Sequence, residues 1–398
     1  MTISVNVLGT ILAAATLYLL GVFVVKHVPI LSRYCIPAPL VGGLIFAVIN
    51  TALYVSGNPY FTFNSQIQTF LMVVFFTCVG FTARIDLLVA GGKAVVMALI
   101  LASILTVAQN ALGAGVLYAM GEDPRLGLAV GSISLVGGPG TAASFGPVLE
   151  AAGAAGGSVV GIAAATFGLV MGSLLGGPTA DYLARRYGLT GPSENAQEDN
   201  AERIVKSGST QYRVVSVVCL IAFCMCSGYV LGGAFTALTG VTLPWFVSSM
   251  FMAAVMRNTT ELPDEEFPDD EADKIGNVCL CGFLSMAMMS LKIWDLAELA
   301  GPLVVALALQ TILLMVFSLF VVFPRLGRDY DAAVMTAGFI GFSMGATSNA
   351  MANMQAVSKK YGPSPTAFLV IPLVGGMAID FVNIFVVSAL IPVLGALA

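Results

Sequence analysis

The stretch GSISLVGGPGTAAS, residues 131–144, decides the fold because glycine, proline and hydroxyl residues interrupt an apolar run at its centre. A second stretch, GFSMGATSN at residues 341–349, is interrupted in the same way. Such a break exposes backbone groups that lipid does not satisfy, so protein must shield it or water must reach it. Each stretch is therefore predicted to form a re-entrant hairpin, within residues 126–148 and 332–356, that does not cross the membrane.

The composition of the chain predicts a membrane protein. Of the 398 residues, 58% are hydrophobic and 10% are charged, against about 25% charged in an ordinary soluble domain. That composition excludes a soluble globular protein and a disordered one. The 17 Lys and Arg residues are scattered, so the sequence offers no basic patch for nucleic acid.

The residues that most enzymes and metal sites need are scarce. His27 is the only histidine, so a histidine-rich zinc site and a Ser-His-Asp triad both lack their parts. The seven cysteines lie in or beside apolar runs, without metal-site or redox spacing. No G-x-x-x-x-G-K motif occurs, so ATP is not the predicted energy source. The sequence therefore predicts a protein that is not an enzyme.

Ten apolar runs are predicted to cross the membrane, which takes about 20 residues per helix. With both termini outside, 15 of the 17 Lys and Arg residues fall in inside loops, and only Arg125 and Lys292 fall outside. This distribution follows the positive-inside rule. The runs lie near residues 8–25, 36–55, 67–83, 93–119, 156–183, 213–239, 243–257, 275–291, 301–323 and 366–395.

The two halves of the chain resemble each other. Each match is weak alone, but all of them follow in the same order with offsets that drift only as loop lengths allow. The offset is 207 for the first match below and 209 for the second. The matches are Ile36-Pro37 with Leu243-Pro244, Ala83–Leu87 with Lys292–Leu296, Gln109 with Gln310, Thr141 with Thr347, and Asp181 with Asp380.

Five crossings per half is an odd number, so the second half must be inverted relative to the first. The predicted fold is an all-α polytopic membrane protein with two inverted repeats of five transmembrane helices, each with a re-entrant hairpin. The repeats are residues 1–187 and 213–398, joined by a cytoplasmic linker, residues 188–212. Secondary transporters are built on this plan and bind substrate and ions at broken helices near the midplane. No charged ring or filter repeat supports a channel.

The hairpin tips are the predicted substrate site. Backbone N–H groups at a half-helix start attract anions, and glycine lets a ligand approach the backbone closely. Hydroxyl and amide side chains beside the glycines add directional polar groups. The candidate residues are Gly137, Gly138, Gly140, Thr141 and Ser144 in the first hairpin, and Gly345, Thr347, Ser348, Asn349 and Asn353 in the second.

Asp380 is the predicted ligand of a coupling cation. It lies in the middle of an apolar run, where an ionised carboxylate is costly and marks a functional site by default. Asn383 shares its helix face and offers a second oxygen, so the pair is predicted to bind Na⁺. Asp181, the repeat mate of Asp380, lies near the inside end with Arg185 four residues on, and an ion pair is predicted there instead.

Several long segments carry a family resemblance, and they cover essentially the whole chain. Their order and spacing resemble those of the bacterial glutamate:sodium symporter (ESS) family. The segments include IPAPLVGGL at 36–44, QNALGAG at 109–115, GSISLVGGPGTAAS at 131–144, ATFGLVMGSLLGGP at 165–178 and YDAAVMTAGFIGFSMGAT at 330–347.

This resemblance implies uptake of L-glutamate or a related small carboxylate across the bacterial inner membrane, with Na⁺ as the coupling ion. Related sodium-coupled carboxylate carriers share a two-hairpin fold, often as homodimers with an elevator-like transport domain, so a homodimer is expected. The tips GGPG at 137–140 and ATSNA at 346–350 depart from the family's pattern. Two alternatives therefore stay open: a Na⁺ symporter for another carboxylate, and a cation/proton antiporter.

Overall fold

The structure, a computed structural model, is helical over most of the chain, as the composition predicts. It describes residues 2–34, 36–85, 92–191, 211–239, 243–259, 267–296 and 299–397. The helices of the first half are α1 (Val7–His27), α2 (Pro29–Arg33), α3 (Ala38–Val55), α4 (Gln66–Phe81), α5 (Gly92–Ala119), α6 (Leu126–Ala129), α7 (Ser132–Leu135), α8 (Gly138–Ala151) and α9 (Gly157–Tyr187). Those of the second half are α10 (Gln211–Thr239), α11 (Trp245–Thr259), α12 (Asp269–Met289), α13 (Ala300–Arg325), α14 (Tyr330–Ser343), α15 (Thr347–Tyr361) and α16 (Pro365–Gly395).

Seven helices of the described ranges are long and apolar enough to cross a membrane, namely α1, α3, α5, α9, α10, α13 and α16. The other three predicted runs fall on α4, α11 and α12, which are shorter or begin with acidic residues. The chain is thus an all-α polytopic membrane protein, and every predicted run is helical. The count of ten crossings stays a prediction.

Both glycine-rich stretches form interrupted helices with tips close to the predicted breaks. The first stretch runs as α6, α7 and α8, and Gly138 opens α8 with a left-handed φ of +66°. Glycine adopts that conformation without a steric penalty. The second stretch runs as α14 and α15, separated by the three residues 344–346. The long arms α8, α14 and α15 all pack against α9.

The helices pack as two groups. Helices α1, α3, α4, α10, α11 and α12 contact one another and form what we call the frame group. Helices α5 to α9 and α13 to α16 form the hairpin group, with α9 in contact with both interrupted helices. Contacts between the groups are fewer, and they run mainly through α12 and the short helical turn Ile293–Leu296 after it. The groups therefore meet along a loosely packed boundary.

Two short strands, β1 (Thr2–Val5) and β2 (Tyr60–Phe63), pair in parallel, and the sequence did not predict them. Four-residue segments of mixed polarity carry little strand signal by themselves. Because paired strands must lie side by side, the segment before α1 and the loop between α3 and α4 lie at the same end of the molecule. The predicted topology, in which both segments are outside, requires that arrangement.

Close helix crossings in the frame group depend on glycine. A Cβ atom built on Gly21 of α1 would lie 2.0 Å from the Ala38 carbonyl oxygen, and one on Gly42 of α3 would lie 1.8 Å from the Leu17 carbonyl oxygen. Helices in membranes associate through such small residues, which let the two backbones approach. Any side chain at these positions would push α1 and α3 apart.

Candidate functional site

A cavity of about 650 Å³ lies between the two groups, where the tips of the interrupted helices meet. We call it the tip cavity. The hairpin group lines it with both tips and with Gly375 and Asp380 of α16. The frame group lines it with residues of α1, α4 and α12 and with the start of α3. The predicted residues that line it are Gly137, Gly138, Gly140, Thr141, Gly345, Thr347, Ser348 and Asp380.

The two tips touch each other at the cavity. A Cβ atom built on Gly138 would lie 3.1 Å from the carbonyl oxygen of Gly345, so the two backbones are in direct contact. These residues are 207 positions apart in the sequence. The structure therefore brings the two glycine-rich stretches, which the sequence analysis singled out separately, to one cavity.

Two helix starts face this cavity without side-chain caps. Helix α8 begins at Gly138 and has 14 residues, and α15 begins at Thr347 and has 15 residues. Neither start has a side-chain hydrogen bond to its first N–H groups. Such N–H groups carry partial positive charge and attract anions. Among the residues that the structure describes, the cavity lining contains no Lys or Arg, so the two helix starts are the anion-attracting groups of this part of the lining.

Asp380 brings a negative charge to the same cavity. It follows a widened π turn of α16, Val374–Ala378, a kind of turn that is frequent at functional sites. The Thr347 hydroxyl donates a hydrogen bond of 2.9 Å to the Gly375 carbonyl in this turn, which holds the second tip beside Asp380. Within the described ranges, the ion pairs involve other carboxylates. An unpaired carboxylate in this position attracts a cation.

Asn383 lies behind the cavity wall, against the first interrupted helix. Its side-chain nitrogen donates to the Ser132 carbonyl at 3.1 Å, and the residue is fully buried. The Ser132 hydroxyl in turn donates to the Asn110 side-chain oxygen at 2.9 Å. The Asn383 Oδ1 atom has no hydrogen-bond partner. A buried amide oxygen without a partner is costly, and it is a group that Na⁺ accepts as a ligand.

Three other predicted ligands lie outside the tip cavity. Asn349 donates to the Leu169 carbonyl at 2.9 Å, and Asn353 donates to the Gly172 carbonyl at 2.8 Å. Both side chains are buried and fasten α15 to α9. Ser144 donates to the Gly140 carbonyl of its own helix at 2.8 Å and faces a different cavity. These side chains thus support the second hairpin or the helix α8.

Asp181 forms the predicted ion pair, and it has further partners. The Arg185 Nε atom lies 2.9 Å from the carboxylate, which confirms the prediction. Lys360 also pairs with it, and the Tyr361 hydroxyl donates to it at 2.7 Å. The two additional partners come from the end of α15. Asp181 therefore ties α9 to the base of the second hairpin and lies away from the tip cavity.

The sequence analysis missed the residues that the frame group contributes to the tip cavity. Tyr18, Asn277 and Cys281 are the polar side chains on that wall. They stand in apolar runs without a motif. The only signal in the sequence was an amide side chain, Asn277, inside the predicted crossing 275–291.

A second cavity of about 670 Å³ lies between the two groups, toward the other end of α4. We call it the outer crevice, because the predicted topology puts the start of α4 outside. Its frame wall contains Gln68 of α4 and the start of α11, and its hairpin wall contains α8 and the end of α16. Phenylalanine side chains separate the two cavities. The Phe246 ring of α11 lies 4.8 Å from Phe76 and 5.2 Å from Phe145, centre to centre.

Comparison with known proteins identifies the family. The family model described as sodium/glutamate symporter matches residues 3–363. A sodium/glutamate symporter of Haemophilus influenzae is 36% identical over 396 residues, which cover 98% of each chain. Sodium/glutamate symporters of Escherichia coli and Shigella flexneri are 38% identical over 392 residues, which cover 96% of each chain. The match spans both interrupted helices and nearly all of the chain, so the chain belongs to the sodium/glutamate symporter family, a family of transporters.

Proposed function

We propose that the chain is a secondary active transporter that couples Na⁺ entry to the uptake of L-glutamate across the bacterial inner membrane. The observation that carries the proposal is the tip cavity, which combines two uncapped helix starts with the carboxylate of Asp380. Glutamate near neutral pH has two carboxylates and one ammonium group. The names of its relatives favour glutamate over the alternative substrates.

The two helix starts suit the two carboxylates of this substrate. The first-turn N–H groups of α8 and α15 bind them, one carboxylate to each tip, with the Thr141 hydroxyl beside the first. Gly138 and Gly140 leave room for the substrate to reach the backbone. The contact between Gly138 and Gly345 puts both helix starts within reach of a single small molecule.

Na⁺ is a co-transported substrate that binds on the Asp380 side of the cavity. The carboxylate of Asp380 supplies charge, and the free Oδ1 atom of Asn383 supplies a neutral oxygen three residues further along α16. Na⁺ bound there offsets the cost of a half-buried carboxylate in an apolar helix. It also reduces the repulsion between Asp380 and the anionic substrate, which couples the binding of the two.

We also propose the inverted-repeat architecture, with repeats 1–187 and 213–398, a cytoplasmic linker 188–212, re-entrant hairpins and both termini outside. The packing supports it, because α1, α3 and α4 of the first repeat correspond to α10, α11 and α12 of the second. Helix α3 packs against α1, and its counterpart α11 packs against α10. Helix α4 packs against α11 of the other repeat, and its counterpart α12 packs against α3. The family resemblance supports a homodimer in the lipid bilayer, which the mass of the purified protein–detergent complex tests.

Purified protein in liposomes with an imposed inward Na⁺ gradient tests the function. Labelled L-glutamate should accumulate inside, and the accumulation should collapse when K⁺ replaces Na⁺ outside. Gradient-driven uptake of another carboxylate but not glutamate would support the first alternative. Proton movement driven by Na⁺ without any organic solute would support an antiporter and refute symport.

A further inference from the structure

The frame wall of the tip cavity is mostly apolar and carries one exposed amide. Its apolar residues include Phe75 and Phe76 of α4 and Leu280 and Leu284 of α12. Asn277 stands among them on α12, exposed to the cavity. Within the described part of the chain, its side chain has no hydrogen-bond partner. An unpaired amide on an apolar wall, opposite two anion-attracting helix starts, is available to a polar ligand.

The frame wall of the outer crevice also carries an amide. Gln68 lies near the start of α4 and lines this crevice, with Met72 one turn further along. Among the described residues, the Gln68 side chain also has no hydrogen-bond partner. The start of α11, Pro244–Phe246, completes this part of the wall, much as the start of α3 borders the tip cavity.

The internal repeat makes these two walls equivalent. The match of Ala83–Leu87 with Lys292–Leu296 has an offset of 209, and it follows α4 and α12 directly. The same offset, carried back along both helices, pairs Gln68 with Asn277 and Met72 with Cys281. All four residues line a cavity, the first of each pair at the outer crevice and the second at the tip cavity.

We propose that Gln68 and Asn277 are matched contacts for the transported amino acid, the first used when the site opens outside and the second when it opens inside. This inference rests on the proposed symport function. A primary amide both donates and accepts hydrogen bonds, so either side chain can bind a carboxylate or the ammonium group of the substrate. The two amides thus give the frame group the same recognition chemistry at both ends of the transport path.

The geometry sets the distance that the hairpin group must move for the substrate to pass from Asn277 to Gln68. In this structure the first tip stands beside Phe75, whose ring lies 3.8 Å from a Cβ atom built on Gly140. Gln68 lies seven residues before Phe75 on α4, which is about 10 Å along the helix axis. A movement of the hairpin group of that size relative to the frame group brings the tips to the outer crevice. The loosely packed boundary between the groups allows it.

Side-specific transport kinetics tests the proposal with the variants Gln68→Ala and Asn277→Ala. Half-saturation by glutamate is measured from the outer face in right-side-out vesicles and from the inner face in inside-out vesicles, each with a matched Na⁺ gradient. Gln68→Ala should raise the outer value about fivefold to tenfold, the scale of one ordinary net hydrogen bond, and change the inner value less than twofold. Asn277→Ala should do the reverse.

Each variant serves as the control for the other, and Gln66→Ala serves as a third. Gln66 is an exposed glutamine at the start of α4 that lines neither cavity, so its variant should match the wild type on both faces. Equal changes on both faces, or no change on either, would overturn the proposal. A wild-type protein without Na⁺-driven glutamate transport would instead refute the proposed function.

Nearly isosteric variants guard against a folding defect. If an alanine variant does not accumulate in the membrane, Gln68→Glu or Asn277→Asp replaces it. The introduced carboxylate repels a substrate carboxylate and attracts the ammonium group, so it should change half-saturation on its own face more than tenfold, upward beside a carboxylate and downward beside the ammonium group. A carboxylate variant that transports normally from both faces would remove that residue from the substrate path.

Discussion

Replacing Gly138 by alanine tests whether the rate of transport depends on the contact between the two tips. Gly138 has a φ of +66°, which costs an alanine about 1–2 kcal/mol. The added Cβ atom would also lie 3.1 Å from the Gly345 carbonyl oxygen, closer than a comfortable contact. The second tip must then shift by a few tenths of an ångström. Because a misplacement of about 1 Å can cost about 100-fold in rate, we expect uptake to fall about 10-fold.

A matched substitution separates backbone strain from damage to the site. Gly121 has a φ of +83°, and no atom lies within 4 Å of a Cβ atom built there. Gly121→Ala therefore carries a comparable conformational cost, but in the loop after α5, away from both tips. Both alanine variants should lower the melting temperature by similar amounts. Only Gly138→Ala should raise the half-saturation for glutamate and lower the maximal rate.

The assay is Na⁺-driven glutamate uptake in proteoliposomes, corrected for the amount of folded protein by size-exclusion chromatography. Gly138→Val, with a β-branched side chain, should abolish uptake while the protein remains folded. If Gly138→Ala transports as well as Gly121→Ala at equal protein, the two tips are not a single binding site.

Three further predictions concern charge and hydrogen bonding. Asp380→Asn should raise the Na⁺ concentration for half-maximal uptake at least tenfold, since a bond to a charged group is worth about 1.5–3 kcal/mol. The control Asp181→Asn should change that concentration less than twofold, and equal shifts of the two variants in Na⁺ titrations would contradict the cation site. Thr347→Ala loses the bond to the Gly375 carbonyl and should weaken glutamate binding by about 1–2 kcal/mol, measured as half-saturation at saturating Na⁺; a change under twofold would leave Thr347 as a packing group. Burial raises the pKa of Asp123, but hydrogen bonds from the Arg125 side chain and backbone outweigh it and hold the pKa below its usual value. Asp123 therefore stabilises the fold above about pH 4 and loses that effect as pH falls through its lowered pKa. Asp123→Asn should flatten this part of the melting temperature–pH curve, and an unchanged curve would contradict the pairing.

Helix positions were predictable because membrane insertion depends on local composition. A run of about 20 apolar residues forms a helix wherever it occurs in lipid, and all ten runs are helical in the structure. The interrupted helices were predictable for a related reason, since clustered glycine and proline break a helix through local backbone geometry. The pairing of β1 with β2 was not predictable, because it joins short segments that lie 58 residues apart.

The candidate site also has a part that the sequence predicts and a part that it does not. The tip glycines and Asp380 were predictable as candidates from the sequence, since a backbone break and a charge in an apolar run are unusual wherever they occur. The roles of the asparagines were not predictable. Asn349 lies in a tip but is buried against α9, whereas Asn277 lies in an ordinary run and faces the cavity.

The sequence by itself therefore determined the membrane class, the helices and the two broken segments, and it singled out the glycines and the carboxylate of the candidate site. Only the tertiary structure decided that both tips meet, that the helices form two groups, and which amides face a cavity. The physical reason is that insertion and helix breaking act within a few turns of chain. The environment of a polar side chain instead depends on the neighbouring helix, and that helix comes from a distant part of the sequence.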